Sequence, residues 1–162
     1  VGKLFAEAFN DLDIDVVAAP ALGGIILSQW TAHHLTQLKG KEILGVYTEK
    51  GPDKTMLFTR GYDQLVAGKK VLVIEDLTST GGSVKKVVEA VRTVGGEVVA
   101  VGVMVNRDTK LVTKESIGVS DFRALGVMEI VSYEEAECEL CKNGVPINIT
   151  AGHGKKYLEA RS

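Results

Sequence analysis

A doubly wound α/β fold on a mostly parallel sheet is what this sequence predicts, and three observations carry the prediction. Residues 71–74, Val-Leu-Val-Ile, are four consecutive aliphatic residues, as in a strand covered on both faces. A helical stripe follows at once, with Val84, Val87, Val88, Val91 and Val94 spaced by three and four over residues 83–94 before Gly95-Gly96 stops it. Strand-like and helix-like segments also alternate along the chain, as in a parallel sheet with crossover helices.

The elements follow in order. Residues 1–10 read as a helix with Leu4, Phe5, Ala8 and Phe9 on one face. Residues 15–19, Asp-Val-Val-Ala-Ala, form a strand running into Pro20, and residues 24–38 the next helix. Residues 43–48 are a strand, and residues 51–64 a polar loop punctuated by glycine. Strands at 70–74 and 97–105 flank the valine helix, and residues 120–132 hold one more strand. Neither an internal repeat nor a low-complexity segment interrupts the plan.

Composition bounds the function. With 162 residues, 45% hydrophobic and 25% charged, the chain can bury one core. A formal charge of −2 and a pI near 6.0 give no electrostatic case for nucleic acid or an acidic membrane surface. No apolar run is long enough to span a bilayer and no basic-then-apolar leader is evident, so the cytoplasm is the expected location.

The chemistry concentrates where the 70–74 strand meets its helix. Thr78, Ser79, Thr80, Gly81, Gly82 and Ser83 have small side chains, so backbone N–H groups and hydroxyls can converge on an anion at a helix start. Without Lys or Arg in that loop, and without a Gly-Lys-Ser/Thr ending, it suits a phosphate monoester better than a triphosphate. Glu75 and Asp76 precede it, at a strand's carboxyl end. Acidic side chains there accept bonds from sugar hydroxyls or hold a hydrated Mg²⁺. The combination describes a ribose 5-phosphate site; an ordinary capped strand-turn-helix junction is the plainer reading.

The run Val-Leu-Val-Ile-Glu-Asp-Leu-Thr-Ser-Thr-Gly-Gly-Ser over residues 71–83 resembles the phosphoribosyl pyrophosphate (PRPP) signature of the type I phosphoribosyltransferases. The resemblance extends over residues 1–133. It implies that Glu75 and Asp76 contact the ribose hydroxyls, with Mg²⁺ as cofactor held there, in part through water. Thr78, Ser79, Thr80, Gly81, Gly82 and Ser83 would bind PRPP around its 5-phosphate, and Asp76 would be catalytic. A second glycine loop at a strand end, residues 20–27, looks like the family's pyrophosphate loop, where the peptide is strained; Ala21, Leu22, Gly23 and Gly24 are the matching positions. Gly23 stands where a basic residue is frequent, so other cations would assist. Judged alone, the loop is equally a plain glycine turn.

Those cations are expected from the polar segment after residue 48. Lys50, Lys54 and Arg60 would close over the leaving pyrophosphate as a lid, where charge counts most once water is expelled. A solvated charged loop is the alternative. On the base side, Ser79 and Arg107 are the candidates. Arg107 ends a hydrophobic strand in Val-Met-Val-Asn-Arg-Asp, and a guanidinium clamps a carboxylate through two parallel bonds. The motif resembles the Asp-Arg of orotate phosphoribosyltransferases, with Asn106 in place of Asp; a salt bridge from Arg107 to Asp108 or Glu75 is the alternative. The family's orotate members also carry an amino-terminal hood, a segment that this sequence does not contain, so the fold is expected with its hood missing or truncated.

What the resemblance implies is Mg²⁺-dependent transfer of phosphoribose from PRPP to a nitrogenous base, orotate first, in pyrimidine nucleotide synthesis, by a homodimer sharing its lids. A purine or other-base transferase, or a PRPP-binding regulatory or inactive domain, stays open. Residues 1–132 are expected as the core and residues 133–162 as a tail on or near the active-site side. In that tail Cys138-Glu-Leu-Cys141 and His153 are three of the four ligands that a structural zinc needs, and free thiols are the default.

Overall fold

The computed structural model describes residues 1–130 and 133–161. By its contacts the chain divides into a unit Val1–Ile130 and a unit Val131–Ser162. In the first, the elements run α1 (Gly2–Ala8), β1 (Val16–Pro20), α2 (Gly23–Lys39), β2 (Leu44–Lys50), β3 (Met56–Leu57), α3 (Tyr62–Val66), β4 (Lys70–Thr78), α4 (Gly82–Thr93), β5 (Glu97–Asn106), α5 (Lys114–Ile117) and β6 (Phe122–Val127). The second contains α6 (Glu139–Lys142) and α7 (Gly154–Glu159), both short. None of the helices described is long and apolar enough to cross a membrane.

The sheet order is β3-β2-β1-β4-β5-β6, parallel except for β3. Alternation along each strand sends residues to two apolar layers. Val71 and Val73 of β4 pack with Val84, Val87, Val88 and Val91 of α4, whereas Leu72 and Ile74 pack with Phe5, Phe9 and Leu35 on the other face. Burial on both faces is why residues 71–74 are uniformly aliphatic. The α4 stripe is as predicted, with Val94 only partly buried at its edge.

Three expectations need correction. Leu4 is 55% exposed, and α1 buries Gly2, Phe5 and Ala6, because a helix this short seats only its Phe5 side, with Phe9 following, against the sheet. That seat is fixed from β6: the Arg123 guanidinium pairs with Asp11 at 2.8 Å and with Asp121, and lies 4.9 Å over the Phe9 ring. The 51–64 loop is in large part ordered. After a 3-10 turn at Pro52–Lys54 the chain folds back as β3, antiparallel to the end of β2, and Tyr62 opens α3. Apolar Met56 drives this by entering the core at 7% exposure, and Gly51 permits it, since a Cβ there would lie 2.5 Å from Leu57. Finally, β4 continues four residues beyond Ile74 and carries both acidic residues as strand positions. Of the predicted 120–132 stretch, Val131 and Ser132 lie outside the described residues.

Candidate active site

The chain winds from β1 to β2 in one direction and from β4 to β5 in the other, so the switch point lies between β1 and β4. Crevices at the carboxyl ends of such strands are where α/β sheets bind ligands. Both glycine loops stand there. β1 leads through Ala21 and Leu22 into α2, and β4 leads through Ser79 and Thr80 into α4. The Ala21–Leu22 peptide is cis.

Close approach explains the glycines. A Cβ on Gly24 would sit 2.6 Å from the Ala19 Cβ, so α2 starts against the end of β1 only because residue 24 lacks a side chain. A Cβ on Gly23 would run into the Asp76 carboxylate, which places the first loop directly beside the acidic pair. Neither α2 nor α4 has a side-chain cap at its start. The Ile25 N–H donates to Leu22 O at 3.2 Å, whereas the N–H groups of Gly23, Gly24, Gly82 and Ser83 keep their donor capacity for a ligand, and helices of 17 and 12 residues add partial positive charge.

The 79–83 loop is shaped from within. Thr78 is buried, and its Oγ1 accepts from Gly81 N–H at 3.1 Å; Gly81 turns the chain at φ 75°. Thr78 thus serves as a loop-building side chain, while Ser79 is half-buried and Thr80, Gly82 and Ser83 are exposed.

The two carboxylates differ. Glu75 is 6% exposed and its Oε1 accepts from Asp76 N–H at 3.1 Å. Burial first, and then the neighbouring Asp76 carboxylate, push its pKa up to about 8, so at pH 7 it is mostly protonated. Asp76 is half-exposed, with Oδ1 accepting from Leu77 N–H at 2.6 Å. A Mg²⁺ ion in such a site keeps several waters and shares phosphate oxygens, needing one or two carboxylates. Asp76, half-exposed and directly beside the first glycine loop, offers one such carboxylate.

Arg107 follows β5, the strand next to β4, and its N–H donates to Thr78 O at 2.9 Å. It lies beside the loop, forms no ion pair among the described residues, and has a buried Nε without a partner. The alternative of a bridge to Asp108 or Glu75 is thus not what the structure adopts. Asn106 explains itself: its Nδ2 donates to Val112 O and its Oδ1 accepts from Asp108 N–H, both at 3.1 Å, bracing the turn after Arg107. Sequence reasoning saw Asn106 only as a replacement and missed that role; its burial between two loop contacts had no signal in the residue pattern.

The lid candidates stand on three different local structures. Lys50 ends β2, Lys54 ends the 3-10 turn at φ 60°, and Arg60 lies 3.4 Å from Glu49, which also accepts from the Thr59 hydroxyl. The groove of about 400 Å³ between residues 53–58 and α4 contains none of the acidic pair, the loop residues or Arg107.

Uncapped starts of two helices, an acidic pair and a small-residue loop at one switch point are the arrangement expected of a sugar-phosphate-binding α/β protein. Comparison with known proteins narrows this. The family described as phosphoribosyl transferase domain matches residues 1–124. Orotate phosphoribosyltransferase of Caldanaerobacter subterraneus subsp. tengcongensis is 41% identical over 142 residues, 88% of this chain and 68% of that protein. The enzyme of the same name from Thermotoga maritima is 33% identical, covering 96% and 77%. Among solved structures, Mycobacterium tuberculosis orotate phosphoribosyltransferase in complex with PRPP superposes with a TM-score of 0.61 at 31% identity, covering 78% of this chain and 70% of that one. Adenine phosphoribosyltransferase from Thermoanaerobacter pseudethanolicus shares the fold at 20% identity and a TM-score of 0.59. This chain belongs to the phosphoribosyl transferase family.

Proposed function

We propose that the chain transfers phosphoribose from PRPP to orotate, giving orotidine 5′-phosphate and pyrophosphate. The observation that carries the donor half is the convergence of both helix starts and the acidic pair at the switch point. Relatives at 33–41% identity named for orotate, and Arg107 with its Nε buried and unpartnered, support the acceptor.

In this reading the N–H groups and hydroxyls of Ser79, Thr80, Gly82 and Ser83 bind the 5-phosphate, and Glu75 and Asp76 accept from the ribose hydroxyls. Gly23 and Gly24 bring backbone N–H groups to the pyrophosphate. The base nitrogen attacks C1 of the ribose while the bond to pyrophosphate breaks on the opposite face. Positive charge develops on the ring, where Asp76 opposes it, and Lys50, Lys54 and Arg60 meet the negative leaving group. Mg²⁺ held at Glu75 and Asp76, in part through water, would supply charge neutralisation of the leaving pyrophosphate. Arg107 fixes the orotate carboxylate, Ser79 lies beside it, and both hold the ring in line.

A homodimer belongs to the same proposal. Ile26 and Trp30 stand one turn apart on α2 at 68% and 54% exposure, an apolar face of the kind that subunits cover. Light scattering on the wild type and on Ile26→Asp tests it: a dimer that becomes a monomer is expected, and a monomeric wild type contradicts it.

Pyrophosphate release with PRPP, Mg²⁺ and a panel of orotate, uracil, adenine and hypoxanthine tests the activity. Orotate alone is expected to support release. Arg107→Lys should raise the KM for orotate about 10- to 100-fold, the cost of losing a bidentate charge-assisted contact of roughly 1.5–3 kcal/mol. Release driven by a purine would overturn the assignment.

A further inference from the structure

Cys138 and Cys141 take no part in the chemistry above, yet their arrangement is that of a reactive pair. Cys138 immediately precedes α6, and its Sγ accepts from the Cys141 N–H at 3.4 Å. Both thiols are free; Cys138 is half-buried and Cys141 exposed. They line one side of an open cavity of about 550 Å³, together with Glu134, Glu135, His153 and Tyr157. A small ligand fits a volume of that order.

The hydrogen bonds divide the labour. The Cys141 backbone N–H holds Cys138 below the ordinary thiol range, while the neighbouring Cys138 raises Cys141 above it. The thiolate is the nucleophile in exchange reactions, so Cys138 attacks first and Cys141 resolves. Charge selects the oxidant. Glu134 and Glu135 line the cavity; Arg161, 2.5 Å from Glu135, offsets one of the two charges, and Glu134 leaves the lining negative, so a cationic or neutral disulfide approaches more readily than an anionic one.

We propose that Cys138 and Cys141 form a thiol–disulfide exchange site for small aliphatic disulfides, cationic aminothiol disulfides first. The Cys138 thiolate attacks one sulfur of the disulfide; its S–S bond breaks, and the departing thiolate takes up the proton that Cys138 lost. Cys141, deprotonated in turn, attacks Cys138 Sγ in the mixed disulfide and expels the second thiol. Two protein thiols are oxidised to one disulfide and one small disulfide is reduced to two thiols.

The test uses the full chain with cystamine, 2-hydroxyethyl disulfide and oxidised glutathione at pH 8, followed by peptide mass spectrometry. The wild type is expected to lose two hydrogens and gain a Cys138–Cys141 link, fastest with cystamine. Cys141→Ser should trap a mixed disulfide on Cys138, whereas Cys138→Ser should react at least ~10-fold more slowly. Iodoacetamide labelling of the unmodified protein at pH 7, in which Cys138 should react first, checks the same order without any substitution. Equal labelling of the two thiols, two separate stable adducts, or fastest oxidation by the anionic glutathione disulfide would each overturn the proposal.

Discussion

Replacing Glu75 with Gln removes a carboxylate that folding buries at the end of β4, and its effect on stability follows from the pKa shift. Glu75 titrates near 4.5 when unfolded and near 8 when folded. Below pH 4.5 both states carry the proton and the group adds no pH dependence. Between pH 4.5 and pH 8 the unfolded chain ionises while the folded one holds its proton, so rising pH favours unfolding. At 1.36 kcal/mol per pH unit, the wild type should lose roughly 3 kcal/mol by pH 7 and roughly 5 kcal/mol by pH 8, relative to pH 4.5, before relaxation around the site reduces it. Gln keeps the shape and cannot ionise. Urea unfolding of both proteins from pH 5 to pH 9 measures the difference: the wild type should fall steadily against Glu75→Gln, and the variant should be the more stable at pH 9. Parallel pH profiles would show that Glu75 is solvated and refute the reasoning.

Two further outcomes are expected. Asp76→Asn, with unfolding by urea unchanged, should lower kcat for pyrophosphate release about 100- to 1,000-fold, the scale of removing one preorganised charge; an unchanged rate would remove Asp76 from the site. Gly24→Ala sets a methyl 2.6 Å from the Ala19 Cβ, at an overpacking cost of about 1–3 kcal/mol that alanine's better helix propensity offsets by up to about 1. A net loss of up to about 3 kcal/mol in urea unfolding is expected, and a stabilising result would mean that α2 does not abut β1 so closely.

Much of the fold was legible because single features dominate it. Residues 71–74 admit no amphipathic reading, and the α4 valines admit only one. The ordering of residues 51–64 was not legible, since it depends on Met56 finding the core across the sheet edge and on Gly51 letting Leu57 return, a tertiary pairing that local polarity masks. Leu4 misled for a similar reason: apolar spacing in α1 fits two faces, and only the Arg123 anchor from β6 selects the Phe5 side. In the candidate site, the residue types at 75–83 and 20–24 pointed to a sugar phosphate. Their mutual approach, the Gly23 backbone against Asp76, required the strand order. The burial that separates Glu75 from Asp76 was equally invisible, since both stand in one strand as adjacent acids.

Amide chemical shifts on addition of PRPP and Mg²⁺ to ¹⁵N-labelled protein test most directly that the donor binds at the switch point. The largest changes are expected at residues 79–83 and at Leu22, Gly23 and Gly24, with Arg107 responding when orotate is added. Changes confined to the groove between residues 53–58 and α4, or an unperturbed 79–83 loop at saturating PRPP, would contradict the account.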